Sequence, residues 1–332
     1  MIPGRVSVII PVYNRGELVR QAVASAMDQN YSKIEVILVD DGSTDDTPEV
    51  IGGLEKQHPG VVLGRRRENG GPGLARETGR QAAQGEFIQY LDSDDLLAPE
   101  KLERQVAFLR DHPEVDVVYG TTCLVDGEGR VMKEEYKWTG RDVQGLFPGL
   151  LVDRWWCTHT PLWRRSFTDR LGPWSAMRHT EDWEYEARAG ALGAKLGRVD
   201  GVVSYHRAHT GPRLTGGFWL TPADQASFLS TLHGCASAAG VSAETPEMRH
   251  FVRWAFACAR AAGEADGRAA NALLELALHA SGSVPARDLR WFARMVKMFG
   301  WKVAGRFAGR IRGKRDAKPG HDTLKQSWME DG

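Results

Sequence analysis

Several carboxylates in this chain stand where chemistry is done on a parallel sheet. Short apolar runs at Val6–Ile10, Glu35–Val39 and Phe87–Leu91 end respectively in Pro11-Val12-Tyr13-Asn14, Asp40-Asp41-Gly42-Ser43 and Asp92-Ser93-Asp94-Asp95. In open α/β sheets ligands bind beyond the carboxyl ends of the strands, so these segments would converge on one crevice. Clustered carboxylates repel unless a proton or cation neutralises them. A hard divalent ion with oxygen ligands, Mg²⁺ or Mn²⁺, suits such a set and also binds phosphate. Aspartates at strand ends also serve as turn formers and helix caps. That plainer role is expected of Asp45 and Asp46, whereas Asp92 and Asp94 are expected to be functional. The strand-one turn lacks the Gly-x-Gly-x-x-Gly of a dinucleotide site, and no Walker Gly-Lys-Ser/Thr is present.

The elements that must position these groups alternate. Strand-like runs near residues 6–10, 35–39, 61–63 and 87–91 are separated by helical periodicities over 16–28, 44–54, 74–84 and 99–110. This β-α-β-α order predicts an α/β fold with a mostly parallel sheet flanked by helices. Two further strands are expected at 115–119 and 121–125, a hairpin turn at Asp126–Gly129, a helix over 181–192, and a strand or two within 195–205. Six of the eleven tryptophans lie between Trp138 and Trp183. Aromatic rings there serve equally as core or as a sugar-stacking surface. The adjacent pair Trp155-Trp156 is expected to split, one ring inward and one toward an acceptor. His159 and His179 read as structural or surface histidines rather than ligands.

Taken together, Val6–Asn14, Val39–Asp45, Asn69-Gly70-Gly71 with Ala75-Arg76, and Gly85–Asp95 resemble, in order and spacing, the family 2 glycosyltransferases over residues 5–215. The resemblance implies a GT-A type, Rossmann-like fold: a glycosyltransferase domain over 1–217, with a nucleotide-binding half (1–120) and an acceptor and catalytic half (121–217). A helical extension (218–285) and a basic amphipathic segment with its tail (286–332) would follow. The implied reaction is inverting, divalent-metal-dependent transfer from a nucleotide-diphospho-sugar, a UDP-sugar by preference, to the hydroxyl of a saccharide or lipid-linked acceptor. By the same resemblance Pro11, Tyr13 and Asp41 surround the base, Arg76 lies near the nucleotide, and Asp92 holds the ribose or the metal's surroundings. Asp94 and His209 bind Mn²⁺ or Mg²⁺, with His206 a weaker competitor, and Asp182 of Glu181-Asp182-Trp183 is the general base. Glu77 departs from the family's usual Asn and is expected to turn outward. The competing classes are a nucleotidyltransferase, which would need a basic Gly-rich loop after strand one, and a non-catalytic nucleotide-sugar-binding or membrane adaptor, against which the intact Asp94, Asp182 and His209 speak.

Lys plus Arg and Asp plus Glu are both 43, so the formal net charge is zero over 332 residues. That balance argues against a nucleic-acid partner, but it conceals a segregation. Residues 287–318 hold eleven Lys/Arg and two Asp, and Leu289, Phe292, Val296, Phe299, Val303, Phe307 and Ile311 recur at helical spacing among them. A basic amphipathic helix suits an anionic membrane surface, or else packs its apolar stripe on a domain. The four cysteines are far apart, which points to a reducing compartment. No signal-peptide pattern opens the sequence. The expected location is therefore cytoplasmic, peripheral at the inner face of the cytoplasmic membrane.

Overall fold

The computed structural model describes residues 1–208, 220–263, 265–283 and 285–311, with side chains as far as Gly305. The chain divides into two compact units, Met1–Leu146 with Arg154–Leu214, and Phe147–Asp153 with Thr215–Gly332.

The first unit is built on one nine-stranded sheet. Strand β1 (Ile2–Val12) lies parallel to β2 (Ile34–Asp40) and β4 (Gly85–Tyr90), and β3 (Val62–Arg66) extends β2. Between them run α1 (Gly16–Met27), α2 (Thr47–Gln57) and α3 (Pro72–Ala82), and α4 (Lys101–Asp111) follows β4. β1 from Val6 onward and β2 from Glu35 onward are buried on both faces, as their largely apolar runs require, whereas β3 at the sheet edge is mostly open. Alternate residues Val6, Val8, Ile10 and Val12 share a core with Val36, Leu38, Phe87 and the inward faces of α1 and α4. Ile9 faces the other way, against α3. There a Cβ on Gly79 would lie 2.3 Å from Ile9 Cγ2, so glycine lets helix and strand close.

The second half of the sheet comes from later in the chain. β5 (Leu96–Leu97), β6 (Val117–Val125), β7 (Val131–Lys133), β8 (Leu162–Arg164) and β9 (Leu196–Arg207) give the order β3-β2-β1-β4-β8-β6-β9-β5, with β7 paired to β6. β8 runs antiparallel between β4 and β6, while β6 and β9 are parallel. The two strands expected at 115–125 form one strand. Its register with β9 shifts after Tyr119, at Gly120, where a Cβ would stand 2.5 Å from Val203 Cγ1. Helices α5 (Arg165–Leu171) and α6 (Glu181–Ala191) complete the unit. Trp155 and Trp156 lie in a bend rather than a strand. Trp156 is fully buried against Tyr119, and Trp155 is half-buried with its indole N–H donating to Leu146 O (2.9 Å).

The second unit is helical: α7 (Pro222–Ala238), α8 (Pro246–Ala262), α9 (Gly267–Ala280) and α10 (Arg287–Ile311). Thr221, Thr245 and Asp266 cap the first three, accepting from backbone N–H groups of the first turn. α10 is broken at Gly300 (φ 75°, ψ 171°). Leu289, Phe292 and Ala304 are buried, with Phe292 edge-on to Phe256 at 5.3 Å and the Trp301 indole donating to Asn271 (2.9 Å). Part of the apolar stripe thus packs on neighbouring helices. Trp291, Met298 and Phe299 stay exposed beside Arg290, Arg294, Lys297 and Lys302. Among the described residues no helix is long and apolar enough to cross a membrane.

Candidate active site

Three loops meet at the carboxyl ends of β1, β2 and β3. Asn14, at φ 51°, donates its N–H to Ser43 Oγ (2.9 Å), and its side-chain oxygen accepts from Thr44 N–H (2.8 Å). Asp40 accepts from Ser43 N–H (2.8 Å). Gly42 has φ 79°, and a Cβ there would lie 2.9 Å from the Asn69 backbone nitrogen, so the second and third loops touch only through glycine. Asp41 is buried. It accepts from Gly71 N–H (2.7 Å) and Gly70 N–H (3.1 Å) and pairs with Arg67. A ligand on this carboxylate therefore exchanges with donors of the chain itself. Pro11 is buried and Tyr13 exposed on the same rim. Asp45 rather than Asp46 receives a backbone N–H at the start of α2, from Thr47 (3.0 Å).

The turn after β4 distributes its three aspartates to three separate partners, two arginines and a pair of histidines. Asp92 accepts from Arg76 Nη2 (2.7 Å), and Asp94 pairs with Arg15. Asp95 is fully buried, with Oδ2 2.9 Å from His159 Nδ1 and 3.1 Å from His206 Nδ1, while Oδ1 accepts from Arg207 N–H (2.8 Å). The two imidazoles hold the Asp95 carboxyl far below the usual carboxylate range against the opposing effect of burial. Arg207 also donates to Asp94 O and Gln21, which fastens the end of β9 to this turn.

A second link crosses the unit. Arg76, buried in α3, donates to Asp92 and through Nη1 to Glu181 Oε1 (2.8 Å), its guanidinium 4.9 Å above the Trp174 ring. Trp174 in turn stacks on Tyr185 at 4.0 Å. α3 approaches this region through Gly73, where a Cβ would sit 2.3 Å from Ser175 O. Glu181 and Asp182 open α6, where carboxylates favour the helix dipole. Burial, with Asp182 adding to it, pushes Glu181 up to about 7 against the pull of Arg76. Asp182 pairs with the buried Arg154, which also donates from Nε to Glu186 (3.1 Å). Side-chain exposure separates the two acids: 24% for Asp182 and 6% for Glu181, so of the two Asp182 is the one open to solvent.

Glu77, expected to turn outward, is buried. Arg80 (2.8 and 2.9 Å) and Gln81 (3.0 Å) donate to it, as does Trp174 N–H (3.2 Å), and Arg80, weighed against burial, lowers its pKa. Its charge is spent inside the helix pair instead of facing a ligand. His209 lies outside the described residues. Arg15, Arg67 and Arg154 carried no local signal that marked them as site residues; Asp95 was read only as part of the acidic turn, His206 as a weaker metal competitor and His159 as structural, and the sequence did not bring the three together.

The Glu181 shift has a thermodynamic consequence. A carboxyl whose folded pKa exceeds its ordinary 4.5 binds its proton more tightly when folded, so this contribution to stability is complete below about pH 4.5 and is lost as pH rises through about 7. Denaturant midpoints of the ligand-free protein measured across this window should fall more steeply with pH than those of Glu181→Gln. Parallel curves would contradict the assignment.

A mostly parallel α/β sheet with acidic strand ends, followed by a second half whose helix α6 opens on an arginine-bound acid pair, is the GT-A-like class of fold. Residues 7–167, just under half of the chain, match the family model described as Glycosyl transferase family 2. It is 40% identical over 128 residues to an uncharacterised glycosyltransferase of Haemophilus influenzae, covering 39% of this chain and 51% of that one. It is 35% identical over 142 residues to a poly(ribitol-phosphate) beta-glucosyltransferase of Bacillus spizizenii, covering 42% and 22%. The matches thus span about half or less of these relatives. In structure it is similar to residues 1–349 of S. aureus TarS in complex with UDP-GlcNAc, with a TM-score of 0.66 at 18% identity over 94% of this chain and 93% of that one.

Proposed function

We propose that the protein transfers a sugar, with inversion, from a nucleotide-diphospho-sugar, preferably a UDP-sugar, to a hydroxyl of a saccharide or lipid-linked acceptor in surface-polysaccharide or glycolipid synthesis. The observation that carries this reading is the pair of buried arginines. Arg76 ties Asp92 at the donor side to Glu181, and Arg154 holds the next residue, Asp182, so one accessible carboxylate faces the crevice where donor-side groups converge. Asp182 accepts the acceptor hydroxyl's proton as that oxygen attacks the anomeric carbon. Arg154 keeps the carboxylate oriented, and Trp174 with Tyr185 walls the site from water. A single base opposite the leaving group gives one displacement and therefore inversion.

The carboxylate oxygens at the end of β4 suit a hard divalent ion. Asp92, Asp95 and His159 place ligand atoms within 4.8 Å of one another, and Asp94 stands beside them in sequence. In this reading Asp94, with His209, holds Mn²⁺ or Mg²⁺, which when bound stabilises the charge on the departing diphosphate. Arg15 must then release Asp94, and is well placed to meet the diphosphate instead. Pro11, Tyr13 and Asp41 take the base, with Asp41 trading Gly70 or Gly71 N–H for the imide donor.

The test is a thermal-shift panel of uridine, guanosine and thymidine diphosphates with Mn²⁺. A ligand bound only by the folded state raises the midpoint, by about 2.7 kcal/mol of stabilisation at one hundred times its Kd. UDP is expected to give the largest shift; no shift with any of the three would remove the nucleotide site.

The exposed Trp291, Met298 and Phe299 among basic residues of α10 support contact with an anionic membrane from the cytoplasmic side. The intact chain should float with phosphatidylglycerol-containing liposomes, and Trp291→Ser/Phe299→Ser should reduce flotation several-fold. Equal flotation of both proteins would reject a membrane role for this face.

A further inference from the structure

Cys157, His159 and His206 place one potential ligand atom each within 4.8 Å of one another, beneath the turn that carries Asp95. His159 is completely buried. Its Nδ1 lies 2.9 Å from Asp95 Oδ2, whereas its Nε2 has no hydrogen-bond partner. Buried polar groups nearly always have a partner, so an imidazole in this state calls for a ligand. His206 is 3.1 Å from the same carboxylate oxygen and stacks on Tyr136 at 4.9 Å, and its side chain keeps 21% of its surface exposed, which leaves a way in from solvent. Cys157 is buried close by, and its thiol is pushed well up by burial.

We infer that Cys157, His159 and His206 form a site for a soft divalent ion of the zinc class, with Asp95 orienting both imidazoles. Thiolate and imidazole select Zn²⁺ over the oxygen-seeking Mg²⁺ and Mn²⁺. The carboxylate that contacts both rings is the outer-shell partner metal-bound histidines usually have. Three protein ligands leave a fourth position for water, as in open zinc sites. A tetrahedral edge built from ordinary Zn–S and Zn–N bonds is about 3.5 Å, so side-chain movements of about one ångström close the shell. Binding converts the Cys157 thiol to a metal thiolate and releases its proton to solvent, so affinity rises with pH. His159 also neighbours Asp92 and Asp95, and the sulfur ligand is what distinguishes this site from a hard-ion site at the same turn. The inference does not rest on the proposed transfer reaction.

Cobalt(II) titration of the full chain tests it through absorbance, with no activity readout. One equivalent should produce thiolate-to-cobalt charge transfer and intense tetrahedral d–d bands, both abolished by one equivalent of Zn²⁺. Cys157→Ser should lose the charge-transfer band, and His206→Gln should weaken binding at least tenfold while remaining folded by circular dichroism. X-ray absorption on the Zn-loaded native chain needs no variant and should show one sulfur at about 2.3 Å with nitrogen at about 2.0–2.1 Å. An all-nitrogen-and-oxygen shell, or a charge-transfer band that persists in Cys157→Ser, overturns the site.

Discussion

Asp182→Asn should lower the rate of sugar transfer by about 10²–10⁴-fold, the usual worth of a positioned general base, while the nucleoside diphosphate still raises the melting midpoint. The change removes the proton acceptor but keeps shape and volume. The amide still reaches Arg154 through its oxygen, so the first turn of α6 should hold its place. The measurement is initial transfer rate against donor-induced thermal shift on the same preparation. Full transfer by the variant would remove Asp182 from the chemistry. Loss of both transfer and nucleotide binding would mean instead that the residue is part of the scaffold. Glu181→Gln is the control: at 6% exposure and bound to Arg76, that residue is too enclosed to meet an acceptor, and its replacement should affect stability more than turnover.

Arg76→Met should be the most destabilising single change of the site. The guanidinium is buried at 4% exposure and answers Glu181, itself at 6%, and Asp92. Removing one partner of a buried pair strands the other charge and costs about 3–5 kcal/mol. For a domain of this size that is a fall in melting midpoint of about 6–20 °C. The same variant should bind nucleotide more weakly, because Asp92 loses the group that holds it. Pairing it with Glu181→Gln should recover part of the stability, since a neutral amide needs no counter-charge. A single variant that melts within a degree or two of the native chain would show that water reaches Glu181 freely.

Much of the first half-sheet was readable because each of its elements is local. β1, β2 and β4 are short, largely apolar and buried runs, α1 declares itself by spacing and α2 by its Asp- and Thr-rich start, and Asp92 and Asp94 follow a strand directly. Gly120 was read as a gap between two strands because its reason, the Val203 methyl groups 2.5 Å from where a Cβ would stand, is more than eighty positions away. Glu77 was read by analogy with a family position. Its true partners, Arg80 one turn on and the Trp174 backbone, depend on how α3 meets a distant loop. For α10, helical spacing marked the stripe but could not divide it into Phe292, which packs on Phe256, and Phe299, which faces solvent.

By itself the sequence determined the alternation of strands and helices, the acidic strand ends, the Glu-Asp pair before a helix, and the separation of basic charge into the C-terminal segment. These are properties of neighbouring residues and of hydrophobic period. Only the tertiary structure decided which charges meet. Arg76 reaches Glu181 across 105 positions, Asp94 finds Arg15 across 79, and His206 arrives beside Asp95 from 111 residues on. The physical reason is that a buried charge must be answered by some opposite charge, but which one is set by β8 folding back beside β4 and β9 beside β5 rather than by any local pattern.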